Sequence, residues 1–266
     1  MVRAITLLLF SSLLSCSLFA GDNLITLQTK GSGSTITIKQ VGNGNTTGIY
    51  CGLGSFDNSL VNTHTCNNAT ITSTVTGVSN VVYSQSVWSN HTGQSWITTV
   101  DGNDNYAVID MDESGTTSTI IQTGNDNDAW ILGSGDDNVY KIEQSGNDYY
   151  AKIYAFSDDS DIWITQEGTG DHNAYVLNYS GGNNNSTRLI QKGSGNKDAD
   201  IFFYSGGDDN DVSLTQQGNG AHTSNMKFYT NSYDVTVIQK GSTNQSYTAT
   251  FNCTSNCTKT ISITQQ

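Results

Sequence analysis

Three acidic turns hold the residues best placed for chemistry. Asp136-Asp137-Asn138, Asp158-Asp159-Ser160-Asp161 and Asp208-Asp209-Asn210 recur at related spacing, with Asn183-Asn184-Asn185 between the second and third. Carboxylates a few ångströms apart repel, and a divalent cation with oxygen ligands relieves the repulsion. Asp136, Asp137, Asp158, Asp159, Asp208 and Asp209 are therefore candidate Ca2+ ligands along one edge. The plainer reading is a solvated acidic edge that salt or acid screens. Cys51, Cys66, Cys253 and Cys257 form a second set. An even number in an exported chain suits two disulfides, and local pairing, Cys51–Cys66 and Cys253–Cys257, is the simplest of the three connectivities. The histidines do not sit at zinc-ligand spacing near them. His64, His91, His172 and His222 fall in turns or polar stretches and read as surface residues. No nucleophile, base and orienter group into a recognisable motif, so no enzyme is expected and no cofactor other than the candidate Ca2+.

These residues hang on a repeat. Ile36-Thr37-Ile38-Lys39-Gln40-Val41-Gly42, Val139-Tyr140-Lys141-Ile142-Glu143-Gln144-Ser145-Gly146 and Val212-Ser213-Leu214-Thr215-Gln216-Gln217-Gly218 state one phrase: apolar and polar residues alternate, a Gln closes the run, and a Gly follows two positions later. From Gln122 through Gln144, Gln166, Gln191, Gln216 and Gln239 to Gln265 the steps are 22, 22, 25, 25, 23 and 26 residues. A period that regular marks a repeat architecture. Val75 and Val100 stand where degenerate copies would place a Gln.

The phrase needs a strand. Side chains on a strand alternate faces, so the residue two before each Gln shares its face. Ile38, Ile120, Ile142, Ile164, Leu189, Leu214, Val237 and Ile263 occupy that position, and all are aliphatic. A second strand carries Ala-x-Ile or Ala-x-Val at Ala107, Ala129, Ala151, Ala174 and Ala199, continued by Ser224-Asn225-Met226 and Ala249-Thr250-Phe251. Two such strands make a flattened rung that buries itself only by stacking. The expected fold is all-β, a β-solenoid of two-strand rungs with a period of 22–26 residues.

An inward Gln is costly unless its amide is paired. Stacked at one corner of successive rungs, Gln40, Gln122, Gln144, Gln166, Gln191, Gln216, Gln239 and Gln265 form ladders along the rod. Gly42, Gly124, Gly146, Gly168, Gly193, Gly218 and Gly241 supply the tight turns, and nearby Asn tolerates the same geometry. Trp130, Trp163 and Tyr175 point outward, as a surface-contacting stripe or as ordinary cross-strand packing.

The chain opens like a secretion signal, with Arg3 ahead of an apolar core running to Leu14 and cleavage expected after Ala20. Leu13-Leu14-Ser15-Cys16 offers an alternative lipoprotein site. The expected division is a leader at 1–20, first solenoid strands at 21–40, a cysteine-tied loop or cap at 41–70, and repeats at 71–266 that are degenerate to about 100. The formal charge of -13 argues against nucleic acid as a partner. Proline, which blunts sheet edges, is absent altogether.

Gln122-Thr123-Gly124-Asn125-Asp126-Asn127-Asp128-Ala129 resembles the repeat of curlins, the subunits of bacterial amyloid fibres called curli. Ser34 and Ser160 stand six positions before Gln40 and Gln166, as in that family's pattern. The resemblance covers roughly residues 24–48 and 100–266, with seven full Gln-x-Gly copies. It departs in lacking the family's second Gln and in carrying cysteine-tied loops. The resemblance implies export through an outer-membrane pore, assembly on a nucleator into a homopolymeric cell-surface fibre, and roles in adhesion and biofilm matrix. The competing expectation is a monomeric cation-stabilised β-solenoid adhesin.

Overall fold

Alternating polarity makes each strand two-faced, and the apolar faces meet only if the chain turns back on itself once per phrase. A computed structural model shows this arrangement. It describes residues 4–8, 13–19, 21–52, 65–86, 90–111, 114–133, 138–156, 160–177, 185–202, 211–227, 233–250 and 259–266. Among them there is no helix, and every strand pairing is parallel, as expected of a β-solenoid.

The Gln strands stack into a thirteen-stranded sheet and the Ala strands into a seven-stranded one. Strand Thr35–Asn43 lies beside Thr70–Val78, which lies beside Ser95–Asn103 and then Thr117–Asn125. The register is the one the phrase predicts: Gln40, Val75, Val100 and Gln122 are consecutive partners, and Gln122 continues through Gln144, Gln166, Gln191, Gln216 and Gln239 to Gln265. In the facing sheet Ala107, Ala129 and Ala151 are partners, as are Ile109 and Ile131.

The interior is one continuous cluster of these inward residues. The aliphatic residues two before each Gln are buried, except Ile263 in the last strand, which is half-buried. Neighbouring rungs adjust in size. Trp96, Ser118 and Tyr140 are consecutive partners, so the small serine separates two fully buried rings. Gly133 gives the Tyr140 ring its room, since a Cβ there would lie 2.4 Å from a ring carbon.

Three expectations change. Residues 41–70, expected as a loop, contain strand Thr46–Cys51, which completes a turn of the solenoid, so the break in rhythm begins only after Gly52. The expected leader extends both sheets by one strand in the uncleaved chain: Ala4–Leu8 pairs with Leu24–Thr29, and Leu13–Phe19 with Thr35–Asn43. At the other end, His222 partners Gln245, and the N–H of Ala249 donates to the Asn225 carbonyl. Tyr247 therefore stands beside Ser224, and Ala249 beside Met226. The last copy of the Ala phrase is two residues out of phase: the arcs from Gln216 to His222 and from Gln239 to Gln245 are equally long, but Ala249 stands two residues farther past its Gln than Ser224 does.

The turn glycines test the stacking distance. Gly124 has φ +120°, and a Cβ on it would sit 1.9 Å from the carbonyl oxygen of Gly146 in the next rung. Gly115 also has positive φ, +75°, but nothing lies within 4 Å of its would-be Cβ. Gly124→Ala is expected to lose about 3 kcal/mol in chemical denaturation, from strain and a backbone clash, and Gly115→Ala about 1 kcal/mol from strain alone.

Candidate functional site

The Gln column runs up one inner corner as predicted, and of its eight expected members seven are buried, terminal Gln265 being half-buried. Gln122 Nε2 donates to Gln144 Oε1 at 3.0 Å, Gln191 to Gln166 at 2.9 Å, Gln216 to Gln191 at 2.8 Å and Gln239 to Gln265 at 2.8 Å. Amides of the column also reach backbone carbonyls in the arc of the preceding rung. Gln144 Nε2 donates to Asp128 O and Gln166 Nε2 to Tyr150 O, each at 2.9 Å, while Gln191 and Gln216 reach Asn173 O and Asp198 O. These amides thus tie rungs to their neighbours through both side-chain and backbone acceptors, and Gln122, which also donates to Asn127 O at 2.9 Å, ties its own rung as well. Val75 and Val100 interrupt the column. Gln40, on one side of that gap, donates instead to Thr47 Oγ1 at 2.8 Å.

A second ladder, not anticipated from the sequence, runs up the opposite corner. Asn23, Asn45, Asn80, Asn105 and Asn127 are all buried. The Oδ1 of Asn80 accepts from both the backbone N and the Nδ2 of Asn105 at 3.0 Å, and Asn105 Oδ1 accepts likewise from Asn127. Each Nδ2 also donates to a turn-glycine carbonyl of the next rung: Asn80 to Gly102 at 2.7 Å, Asn105 to Gly124 and Asn127 to Gly146 at 2.8 Å. The asparagines read as turn residues are thus inward rungs of an amide ladder. The signal was present, because each stands two residues before an inward residue of the Ala strand (Asn105 before Ala107, Asn127 before Ala129) and so shares its face. An exposed ladder runs beside it, Asn103 to Asn125 at 3.0 Å and Asn125 to Asn147 at 3.2 Å.

Beyond Asn127 the buried column changes chemistry. Tyr149, His172, Lys197 and His222 take the asparagine position in succession, and all four are buried. His172 and His222 are therefore interior residues and not the surface residues expected. An arc one residue longer, Gln-x-Gly-x-x-x-His at Gln166 and Gln216, turns them inward. Tyr149 stacks on His172 with ring centroids 4.7 Å apart and planes within 5°. Lys197 Nζ donates to Ser194 O and Gly218 O at 2.9 Å and to Gly195 O at 3.3 Å. Burial, reinforced by the Lys197 charge, holds the His172 imidazole down to about 4 and lowers that of His222. Burial, with a contribution from Glu167, raises the Tyr149 phenol to about 12.

The remaining candidates divide. Cys51 and Cys66 are joined in a disulfide with Cα atoms 5.5 Å apart. Cys253, Cys257, His64, Asp136, Asp137, Asp158, Asp159, Asp208 and Asp209 lie outside the described residues. Among the described residues no group of three His, Cys, Asp or Glu could hold a metal ion. Trp130 and Trp163 are exposed, at 37% and 45%. Trp130 packs 5.2 Å from the Tyr106 ring, Tyr175 lies 5.5 Å from Phe202, and Lys141 Nζ sits 5.3 Å over Trp163. These are cross-strand contacts along the outer faces. No protein-family model, no curated protein and no solved structure matches the chain.

The two asparagine ladders differ in burial and in the turn-glycine carbonyls that the buried one also reaches, so one pair of variants compares them. Asn105→Ala removes the acceptor of the Asn127 N–H and Nδ2 and the donor to Asn80 Oδ1 and Gly124 O, and is expected to lose about 2–4 kcal/mol in urea unfolding. Asn103→Ala, on the solvated ladder, is expected to change stability by less than about 0.5 kcal/mol.

Proposed function

We propose that this chain is an exported, self-assembling structural subunit of a curli-like amyloid fibre, which grows by adding molecules at the solenoid ends and serves surface adhesion and biofilm matrix. One observation carries the reading: the last strand matches Thr35–Asn43, the strand that removal of the expected leader would leave at the other edge. The last strand, Lys259–Gln265, turns Ile261, Ile263 and Gln265 toward the core, half-covered because no rung follows. Strand Thr35–Asn43 turns Ile36, Ile38 and Gln40 inward in the same order. Placed end to end, two molecules continue the aliphatic columns and the Gln ladder in register. The unpaired backbone edge of a parallel sheet templates such addition.

The Gln-x-Gly copies that resemble curlin repeats support the same reading. So does the apolar leader: its removal after Ala20 would open the edges of Leu24–Thr29 and Thr35–Asn43, which Ala4–Leu8 and Leu13–Phe19 cover in the uncleaved chain. Secretion through an outer-membrane pore and docking on a nucleator follow from the resemblance. The charge of -13 keeps nucleic acid out of the proposed partners and limits lateral association of the outer faces.

Purified residues 21–266 are expected to show a lag in thioflavin fluorescence and then fibres with cross-β reflections near 4.7 and 10 Å. A β-rich monomer that neither polymerises nor seeds would overturn this and favour the monomeric adhesin, for which Ca2+-dependent melting is the next measurement. Ile263→Lys puts a charge on the proposed growing face while leaving the other rungs intact. It is expected to slow seeded elongation at least tenfold with little change in the far-UV spectrum of the monomer.

A further inference from the structure

The replacement of the buried asparagine ladder by Tyr149, His172, Lys197 and His222 divides the solenoid into two chemically different halves. From Asn23 to Asn127 the column contains only amides, whose donors and acceptors are matched from one rung to the next. No group in that column changes charge with pH. From Tyr149 to His222 every group in the column is ionisable. The bridges His172–Lys197 and Lys197–His222 place each imidazole one strand spacing, ~4.8 Å, from the same lysine.

The histidines, with the Tyr149 hydroxyl, are also the poorly partnered members of the column. Neither ring nitrogen of His172 or of His222 makes a well-formed hydrogen bond, although His172 lies against the Gly193 carbonyl and His222 against those of Gly241 and Gln239. Lys197, in contrast, is anchored by three carbonyls. A protonated imidazole at either position would be a second cation beside Lys197 in a space closed to water. No carboxylate shares the column. Asp171 and Glu167 are exposed, Glu167 is engaged by Lys192 at 3.0 Å, and Asp198 is half-buried on the outer side of its arc with its carboxyl raised by burial and by Asp200. On the far side of His222 stand Gln245 and the exposed Lys240, which bring no negative charge.

We propose that this column is an acid-operated release: protonation of His172 and His222 beside Lys197 opens the rungs from about residue 160 to 250, while the amide-laddered rungs before Asn127 stay closed. The device does not depend on fibre assembly, because it concerns the fold of one chain. If the chain does assemble, the release acts on the half that carries the Lys259–Gln265 edge.

The sign follows from linkage. An imidazole held below its ordinary value in the fold binds more protons once the fold opens, so stability is full above about pH 6.5 and falls as pH drops toward about 4. At pH 5.0 the His172 values of about 4 folded and 6.5 open favour opening by roughly twentyfold over pH 7. That pH still lies above the isoelectric point of about 4.3, so the chain keeps a net negative charge and ordinary carboxylates remain mostly ionised.

Hydrogen exchange by mass spectrometry on the full chain at pH 7.5 and 5.0, corrected for intrinsic rates, reads the two halves separately. The expected result is a loss of protection of at least tenfold in peptides spanning 160–177, 185–202 and 211–227, with less than threefold change in peptides spanning 70–127. His172→Asn with His222→Asn is expected to abolish the difference. Should that double variant not fold at pH 7.5, Lys197→Met decides: removing the neighbouring cation is expected to move the acid transition of the second half to lower pH. Equal loss in both halves, full protection of the second half at pH 5.0, or an unmoved transition in Lys197→Met would each overturn the proposal.

Discussion

An amide turned into an apolar interior must find partners there, and in this protein those partners sit mainly on the neighbouring rung. That single requirement organises the molecule. A buried Asn or Gln left unpaired is costly, so a one-residue slip between strands would forfeit a whole ladder as well as turn the aliphatic face outward. Parallel, in-register stacking is the arrangement in which an inward Gln column, an inward Asn column and the Ile, Leu and Val columns are satisfied together. The turn glycines follow from the same spacing: Gly124 and Gly146 approach so closely that there is no room for a Cβ between them.

The columns are not uniform, and the irregularities fall in a pattern. Val75 and Val100 replace the Gln column in the same rungs where the Asn column, through Asn80 and Asn105, is unbroken. Farther along, the Asn column gives way to Tyr149, His172, Lys197 and His222 in rungs where Gln166, Gln191 and Gln216 remain bonded to one another. Each rung therefore keeps at least one amide tie to its neighbour. The second half has exchanged the other tie for bulk and charge. Its facing side is less regular: the seven-stranded sheet ends at Tyr150–Lys152, and beyond it the arcs are joined by isolated bridges, single hydrogen bonds such as Ala174 N–H to Tyr150 O, and the short pair His222–Thr223 with Gln245–Ser246.

A stack that satisfies itself by repetition has no intrinsic end. The inward residues of Lys259–Gln265 repeat those of interior strands, and the chain carries no proline to blunt that edge. What varies from rung to rung is the outer surface, where threonines, scattered aromatics and acidic side chains meet solvent. A varied outer surface over a largely repeated interior suits the end-to-end growth proposed above.

Much of this was legible in one dimension because the strand period is two and the rung period is nearly constant. Alternation assigned Ile142 and Gln144 to one face and Lys141 and Glu143 to the other, and the interval between glutamines assigned their neighbours, so the all-β solenoid and the Gln column followed from residue order alone. Only the tertiary structure decided what the arcs do. A turn of five residues after Gln122 and one of six after Gln166 differ by a single residue. Whether the extra residue is absorbed so that Asn127 and His172 both point inward depends on how each arc packs on the rung beneath it. Polar residues in turns ordinarily face water, which is why the asparagine ladder and the buried histidines escaped a local reading. They face inward here because the stacked neighbour, and not the solvent, completes their surroundings.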